Sequence, residues 1–337
     1  MNTTPRSRSV TIMDVAAEAK VSKSTVSLVL KNSPLIPFET AERVRAAASR
    51  LGYVVNRRAS QLRAGRSNTI AVVINDLMNP FFAEILSGIE RRLVDAGYVV
   101  LMAHTNEDPE RQRQVLQAMR EQGAAGLVLC PAYGTPSSLP EEVQQWGVPV
   151  VVMVRTLGPG GYDFAGADNE QGVFDAADHL LRGGHRRIAF LGGQAGVVLE
   201  QRLAGYRRAL AAHGVPPDPA LLIMANPTHP GGYEAMTRLL SEQPGIKAAL
   251  CYNDIVAFGA LAALGERGLR AGPDFSLIGF DNVLASALSN PPLTTVDVHP
   301  CKLGEEAAAL LLERIRNPAA PQQNHVVRPN LLLRQSG

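Results

Sequence analysis

Eight uninterrupted apolar runs, separated by helix-like stretches, restrict the fold of this 337-residue chain more than any other feature. Runs of this kind are typical of strands buried in parallel sheets, with helices covering each face. They are too many for one small sheet, so we predict two doubly wound α/β lobes with a break in the Gly-rich stretch Gly158–Asp168. The runs are Ile70–Ile74, Val99–Ala103, Gly126–Leu129, Val148–Val154, Ile188–Leu191, Leu221–Met224, Ala248–Leu250 and Ser276–Ile278.

Polar residues follow most of these runs, at the points where the predicted strands end. Ligands of open α/β sheets bind beyond the carboxyl ends of the strands, so two facing lobes would enclose a polar cleft for a small ligand. The alternative is that Asn and Asp at these points only cap the helices that follow. The residues are Asn75, Asp76, His104, Thr105, Arg155, Asn226, Asn253, Asp254, Asp281 and Asn282.

The first 68 residues differ from the rest of the chain in charge. They hold twelve Lys and Arg against four Asp and Glu, a net charge of +8, whereas the whole chain carries +2. The remainder is therefore acidic. A small basic head on a large acidic body is typical of a DNA-binding module attached to a second function.

The basic head has the pattern of a helix-turn-helix. Thr11 is predicted to cap a first helix whose apolar residues fall on one face. Ser22 is predicted to cap a second helix that buries Val26, Val29 and Leu30, and Gly52 is predicted to end a third helix.

The exposed face of the second helix carries residue types that read base edges in the major groove. Lys23 can donate to guanine O6 or N7, and Ser24 can hydrogen-bond to several bases. Leu28 can contact a thymine methyl group.

The ordered series of motifs resembles the lactose-repressor (LacI/GalR) family of bacterial transcription regulators, from about Val10 over nearly the whole chain. The segment Thr11–Ser27 carries the head signature of that family. Further matches are Leu51–Tyr53, Asn79–Phe82, Gly184–Arg186, Arg202–Tyr206, Asn253–Asp254, Gly279–Asp281 and Pro292–Thr295.

The resemblance implies two kinds of DNA contact. It assigns the reading of the DNA sequence to Lys23, Ser24 and Leu28, in agreement with the argument from the exposed face. Phosphate contacts, which set register rather than sequence, fall to Thr25, Ser27, Asn32 and Asn56. The predicted DNA-binding set is completed by Thr11, Ser22, Lys31, Tyr53, Arg57 and Ala59.

The resemblance also implies a hinge helix that orders on DNA and pairs across a homodimer. Leu62 stands where the family wedges a leucine into a minor-groove step, which kinks the duplex. Pro37 stands near the position where the family has a Ser or Thr that caps the third helix. Leu28 occupies a position where the family favours Arg or a polar residue. We therefore expect a shifted start of the third helix and a non-standard operator.

The expected domains are a helix-turn-helix at 1–56, a hinge at 57–67 and a periplasmic-binding-protein-like effector and dimerisation domain at 68–337. Its two lobes are expected at about 68–165 with 299–328, and at about 166–298 with 329–337. No heptad-rich tail follows Arg334, so the sequence gives no support for a coiled-coil tetramer.

The resemblance places effector contacts at the strand ends of the body. It assigns Arg202, expected in a loop after Gly192–Gly193, to effector binding together with Asn253 and Asp281. An aromatic wall from the first lobe, and two further candidates, complete the predicted pocket: Phe81, Phe82, Arg155 and Asp168.

This set of donors, acceptors and apolar wall suits a sugar, and it also tolerates a nucleobase or another small polar metabolite. The apolar pair Val197 and Val198 stands where purine-responsive members carry polar and basic residues, which disfavours a nucleobase.

We expect a repressor that binds a near-palindromic operator as a dimer and is released by a sugar-like effector, with corepressor dependence as the alternative. A sugar-binding protein without a DNA role would have a signal peptide and no basic head. An enzyme is disfavoured because no G-x-G-x-x-G, P-loop or G-x-S-x-G motif appears.

Neither a metal nor a cofactor is expected, since the histidines lack ligand spacing. Three scattered cysteines, no visible signal segment and no run of 18 apolar residues favour the cytoplasm over a membrane.

Overall fold

The computed structural model describes residues 10–30, 32–53 and 67–337 of the chain. The chain divides into two compact units, Met1–Ser67 and Asn68–Gly337, which we call the head and the body.

The head is built from three short helices. Thr11 begins the first helix with a reciprocal cap, since its N–H donates to Asp14 Oδ2 at 2.7 Å and its hydroxyl accepts from the Asp14 N–H at 3.4 Å. Lys20 ends the same helix in the left-handed conformation, with φ of 53°. The helices are α1 (Ile12–Ala19), α2 (Lys23–Leu30) and α3 (Phe38–Arg50).

Small apolar side chains from all three helices form the core of the head, and alanine lets the helices approach closely. Pro37 is the N-cap of α3 and makes no side-chain cap, so the helix begins at Phe38 with the proline outside its first turn. The core residues are Val15, Ala16, Ala19, Val26, Val29, Ala41, Val44, Ala47 and Ala48.

The body contains two six-stranded sheets. The described strands are β1 (Thr69–Ile74), β2 (Val99–His104), β3 (Gly126–Leu129), β4 (Val150–Met153), β5 (Asp163–Ala167), β6 (Ala189–Leu191), β7 (Leu222–Ile223), β8 (Ala248–Cys251), β9 (Ser276–Asp281), β10 (Thr294–Asp297), β11 (Asn324–Val327) and β12 (Asn330–Leu332).

The helices of the body cover both sheets, as doubly wound lobes require. A short 3₁₀ turn, Pro219–Leu221, precedes β7. The described α-helices are α4 (Pro80–Asp95), α5 (Pro109–Glu121), α6 (Leu139–Gln145), α7 (Asn169–Arg182), α8 (Val197–Ala212), α9 (His229–Glu242), α10 (Asp254–Glu266), α11 (Leu284–Leu288) and α12 (Pro300–Arg316).

Each sheet forms the centre of one lobe. The first lobe has the strand order β11-β5-β4-β3-β1-β2, with every pair parallel. The second lobe has the order β12-β10-β9-β8-β6-β7, and only its edge strand β12 is antiparallel. A helix-turn-helix head followed by two parallel-sheet α/β lobes confirms the predicted fold class.

Several strands differ from the predicted runs. The Gly-rich stretch expected to be a break contains β5, which belongs to the first sheet as far as Ala167. Strands β10, β11 and β12 had no counterpart among the predicted runs, because they are short and rich in polar residues. Strand β2 is an apolar run but lies at a sheet edge, so Val99 and Met102 are half-exposed.

Among the described residues, none of the helices is long and apolar enough to span a bilayer.

Candidate functional site

The exposed face of α2 is the candidate DNA-reading surface of the head. Val26 and Val29 are buried in the head core, so the helix turns Lys23, Ser24 and Leu28 outward. Leu28 is 36% exposed. The three residues predicted to read bases therefore share one face.

The hydroxyl groups at the start of α2 are bonded to one another. Ser22 Oγ accepts from the Thr25 N–H at 3.1 Å, as the predicted cap requires. The same oxygen lies 2.7 Å from Ser24 Oγ and 2.9 Å from Thr25 Oγ1. Ser27 follows on the same helix and is half-buried.

The arginines of α3 are held by groups within the head. Arg43 donates to the carbonyl of Ala19 at 3.1 Å, which ties α3 to the end of α1. Arg45 pairs with Glu42 at 2.8 Å and donates to Asn32 Oδ1 at 3.3 Å.

The last turn of α3 is held in the same way. Arg50 pairs with Glu18 at 3.1 Å, and Tyr53 packs against the head core. Part of the basic charge of the head therefore stabilises its own fold. The predicted DNA contacts Lys31, Asn56, Arg57, Ala59 and Leu62 lie outside the described residues.

The carboxyl ends of the strands of both lobes border a cavity of about 420 Å³ in the body. Six of the seven predicted effector residues line it, and the lining combines amides, hydroxyls and charged groups with apolar side chains. The lining consists of Asp76, Asn79, Phe81, Phe82, Asn106, Glu107, Tyr133, Val154, Arg155, Gln194, Val198, Arg202, Asn226, Pro227, Thr228, Tyr252, Asn253 and Asp281.

An aromatic wall lies at the start of α4. Asn79 caps this helix by accepting from the Phe81 N–H at 3.1 Å, and Pro80 occupies its first turn. Phe81 and Phe82 pack edge to face with ring centroids 5.2 Å apart. Both rings are largely buried, so the wall is held rigidly by the core of the first lobe.

A guanidinium–carboxylate pair occupies the first-lobe side of the cavity. Arg155 donates to both oxygens of Glu107, at 2.9 and 2.8 Å. Glu107 also accepts from Asn75 Nδ2 at 2.9 Å and from the Tyr133 N–H at 3.1 Å. The carboxylate therefore joins the ends of four strands, β1 to β4. Arg155 Nε and Asn75 Oδ1 are buried and find no hydrogen-bond partner within the described part of the chain.

A tight turn directs Arg155 toward Glu107. The N–H of Arg155 donates to the carbonyl of Met153 at 2.8 Å, and Val154 between them has φ of 68°. A γ-turn with positive φ is rare and strained, and a β-branched residue is poorly suited to it. Strain of this kind is concentrated at functional sites.

A second arginine cluster lies on the opposite side of the cavity. Arg202 belongs to α8 and not to the loop before it, which corrects the predicted placement. Its Nε donates to Asn169 Oδ1 at 3.0 Å, and its Nη1 donates to the carbonyl of Tyr252. Its Nη2 lies 3.6 Å from Asp281 Oδ1.

Asp281 ends β9 with φ of 111°, in a conformation that non-glycine residues seldom adopt. Burial raises the pKa of Asp281 well above its ordinary value, and the guanidinium of Arg202 only partly opposes this effect. The nearby carboxylates of Asp254 and Glu84 raise it further.

Asp254 is fully buried beside this cluster and has no cation in contact with it among the described residues. It accepts hydrogen bonds from Ser286 Oγ at 2.6 Å, Thr295 Oγ1 at 2.5 Å and the Val283 N–H at 3.0 Å. Burial raises the pKa of Asp254 to about 6, although these hydrogen bonds oppose the rise.

Two predicted residues act as helix caps. Asn253 Oδ1 accepts from the Val256 N–H at 2.9 Å, so Asn253 both caps α10 and lines the cavity. Asp168 caps α7 by accepting from the Gln171 N–H at 2.9 Å. Asp168 lines a different cleft, of about 430 Å³, and does not line the cavity that contains the other six residues.

Sequence reasoning missed the two tyrosines and the glutamate that complete the cavity. Tyr252 comes directly after β8, so the strand-end pattern itself gave a signal for it. Glu107 and Tyr133 lie three residues or more beyond their strands. Their approach to the cavity depends on loop conformation, since Asn106 and Glu107 both have positive φ.

Comparison with known proteins gives matches over both units. Residues 11–56 match the family described as bacterial regulatory proteins, lacI family, and residues 177–337 match the periplasmic binding protein-like domain. The maltose regulon regulatory protein MalI of Escherichia coli (strain K12) is 32% identical over 335 residues, which cover 96% of this chain and 98% of MalI.

Two solved structures extend the comparison to three dimensions. The complex of the transcriptional regulator CelR with cellobiose is 31% identical, with a TM-score of 0.75 over 97% of this chain and 100% of CelR. The lac repressor dimer bound to operator and the anti-inducer ONPF is 28% identical, with a TM-score of 0.87 over 98% of this chain and 99% of that protein.

These relatives regulate transcription and are not enzymes, and they match the head and the body in one continuous alignment. The chain belongs to the lacI family of bacterial regulatory proteins and is a DNA-binding transcriptional regulator with an effector domain.

Proposed function

We propose that the protein is a repressor that binds a near-palindromic operator as a homodimer in the cytoplasm and is released by a neutral, hydroxyl-rich ligand of the sugar class. The observation that carries the ligand class is that each cavity arginine already has a carboxyl group beside it, Glu107 beside Arg155 and Asp281 beside Arg202.

A charged ligand fits this cavity poorly. Arg155 and Arg202 are the cations among the described lining residues, and each has a carboxylate beside it. Asp76 adds a further acid to the lining. A ligand carboxylate or phosphate would therefore compete with an existing ion pair, whereas neutral hydroxyls can add donors and acceptors without displacing one.

The remaining lining suits a sugar ring. Asn79, Gln194, Asn226 and Asn253 supply amides that both donate and accept, and the aromatic rings supply apolar surface. A volume of about 420 Å³ lies within the usual range for small-molecule sites. The relative CelR was solved with cellobiose, which supports the same ligand class for this chain.

We assign base reading to Lys23, Ser24 and Leu28 and phosphate contact to Thr25, Ser27 and Asn32, because these side chains lie on or beside the exposed face of α2. Lys31 is assigned to DNA because the sequence pattern puts it on the same predicted face of the second helix. Assignment of Asn56, Arg57, Ala59 and Leu62 to DNA rests on the family resemblance. The proposed boundaries are a helix-turn-helix at 1–56, a hinge at 57–67 and the body at 68–337, and the division after Ser67 supports the last boundary.

An exposed apolar strip in the first lobe supports the homodimer. Val94, near the end of α4, is 51% exposed, and Val99 and Met102 of the edge strand β2 are 50% and 38% exposed. Exposed apolar edges favour association with a second chain. A dimer also doubles the small contact that one head makes with DNA.

The proposal is tested by selecting operators from random duplexes with the full chain and measuring their affinity by fluorescence anisotropy, with and without sugars. We expect a steep linear fall of log affinity with log salt, because several phosphates are neutralised. Lys23→Ala should lose sequence preference, whereas Lys302→Ala, which removes one exposed charge from α12, should not.

The sign of the sugar effect decides between the two modes of regulation. A fall in operator affinity on adding the sugar supports release by an inducer. A rise supports the corepressor alternative and contradicts the inducer proposal.

A further inference from the structure

Two tyrosines, one from each lobe, meet across the cavity. Tyr133 follows β3 in the first lobe, and Tyr252 follows β8 in the second. Their hydroxyl oxygens are 3.3 Å apart. This contact joins the two lobes directly within the candidate ligand site.

Each tyrosine ring lies under an arginine of its own lobe. The guanidinium carbon of Arg155 is 3.8 Å from the centroid of the Tyr133 ring, and that of Arg202 is 4.6 Å from the centroid of the Tyr252 ring. A guanidinium over an aromatic face is attractive. Arg155 is held by Glu107, and Arg202 is held by Asn169 and the Tyr252 carbonyl, so both hydroxyls are presented from ordered stacks.

Backbone contacts fix the same two residues. The Tyr133 N–H donates to Glu107, and the Tyr252 carbonyl accepts from Arg202. Each tyrosine is therefore tied at its ring and at its backbone to the charged cluster of its lobe.

Glycines in the second lobe leave space for both rings. A Cβ atom on Gly196, just before α8, would lie 2.4 Å from Cε1 of Tyr133, so no larger residue fits while that ring is in place. A Cβ atom on Gly193 would lie 2.9 Å from Cδ2 of Tyr252. The first-lobe tyrosine thus fits closely against the second lobe.

We propose that Tyr133 and Tyr252 form a latch that holds the two lobes together in the ligand-free protein. The consequence for regulation rests on the proposed function: a ligand whose hydroxyls bond to both tyrosines replaces this contact. A separation of 3.3 Å is long for an O–H···O hydrogen bond, so the latch is weak enough to open.

The latch keeps the Tyr133 hydroxyl as a donor at neutral pH. Burial raises the pKa of Tyr133 well above its ordinary value, and the neighbouring Tyr252 adds to the rise. The hydroxyl of Tyr133 therefore remains protonated.

Hydrogen–deuterium exchange of the full, ligand-free chain without DNA tests the latch. Tyr252→Phe removes one oxygen and leaves the ring under Arg202. We expect exchange in the first-lobe segment 131–136, which includes the Tyr133 amide, to accelerate about two- to tenfold, the range of one net hydrogen bond. Reciprocally, Tyr133→Phe should accelerate exchange in segment 194–200 of the second lobe.

Tyr233→Phe is the matched control. It removes a second-lobe hydroxyl that donates to Glu266 outside the cavity, so segment 131–136 should be unchanged. The double variant Tyr133→Phe/Tyr252→Phe should exchange no faster than Tyr252→Phe at segment 131–136, because both substitutions remove the same contact.

Unchanged exchange in segment 131–136 of Tyr252→Phe would overturn the latch, as would an equal acceleration in Tyr233→Phe. Either result leaves DNA binding and sugar binding untouched. Conversely, a failure to bind any operator or sugar would refute the proposed function and leave the exchange result standing.

Discussion

The two arginine clusters of the cavity use the same residue types and differ in how closely the arginine is paired. In the first lobe, Arg155 makes two short hydrogen bonds to Glu107, which also accepts from Asn75 and Tyr133. In the second lobe, Arg202 lies 3.6 Å from Asp281. Its other bonds in the described structure go to neutral oxygens.

This difference indicates that the two clusters have different roles, one as a structural scaffold and the other as the sensor of the ligand. Glu107 already accepts four hydrogen bonds, so a ligand can add little to it. Asp281 is buried, its pKa is raised, and it is only loosely paired with Arg202. New hydrogen-bond donors, such as sugar hydroxyls, therefore stabilise Asp281 more than Glu107. We infer that the first cluster holds the cavity in shape and that the second cluster responds to the ligand.

The largest expected effect is the loss of ligand binding in Arg202→Ala. Removing the guanidinium takes a charged hydrogen-bond donor away from the ligand, which costs about 1.5–3 kcal/mol, roughly ten- to a hundredfold in affinity. Calorimetry with the sugar found by thermal-shift screening measures it. Arg208→Ala changes an exposed arginine on the same helix and should bind the sugar normally. If Arg202→Ala bound the sugar as tightly as the parent chain, the assignment of sensor and scaffold would be reversed.

The scaffold role of the first cluster predicts a stability effect in Glu107→Gln. Arg155 would lose its counter-charge in a buried site, and we expect the free energy of unfolding in urea to fall by about 2–3 kcal/mol. Glu142→Gln, which alters an exposed carboxylate near Ser138, should show no measurable change. If Glu107→Gln were as stable as the parent chain and bound sugar a hundredfold more weakly, the first cluster would be a sensor too.

The buried acids of the second lobe predict a pH dependence. Because the pKa of Asp254 is raised to about 6 in the folded protein, the folded state takes up a proton, and this contribution to stability is greatest below about pH 4 and is lost as the pH rises through about 6. Asp254→Asn removes the titration. Relative to the parent chain, the variant should therefore gain about 2 kcal/mol between pH 4 and pH 7.

Thermal unfolding at several pH values measures this gain. Asp274→Asn is the opposite control, since hydrogen bonds from Arg270 lower the pKa of Asp274 and the variant should lose stability relative to the parent chain as the pH rises. Parallel pH profiles for Asp254→Asn and the parent chain would contradict a titrating Asp254.

The sequence predicted the cavity because the carboxyl ends of parallel strands meet at one edge of a sheet. Arg155 and Asn253 lie two residues beyond their strands, Asp281 ends its strand, and all three line the cavity. Asp168 also follows a strand, but its carboxylate faces a neighbouring cleft as the cap of α7. Strand ends therefore locate the edge of a sheet without specifying which cleft a side chain lines.

Other features depended on loop geometry that no residue pattern records. Glu107 meets Arg155 only because Asn106 and Glu107 adopt left-handed backbone conformations. The meeting of Tyr133 with Tyr252 depends on how the two lobes are placed, which requires the whole body to be folded. The short strands β5 and β10 to β12 contain polar residues and lack the uninterrupted apolar runs of the inner strands.

The central claim is that a small molecule in the cavity changes the affinity of the protein for DNA. The most direct measurement is operator binding by the parent chain and by Arg202→Ala, titrated with the same sugar at fixed salt. The account predicts that the sugar weakens operator binding by the parent chain at least about fivefold, the lower range of allosteric coupling, and leaves Arg202→Ala unaffected. A sugar that occupies the cavity of the parent chain without changing its operator affinity would contradict the account.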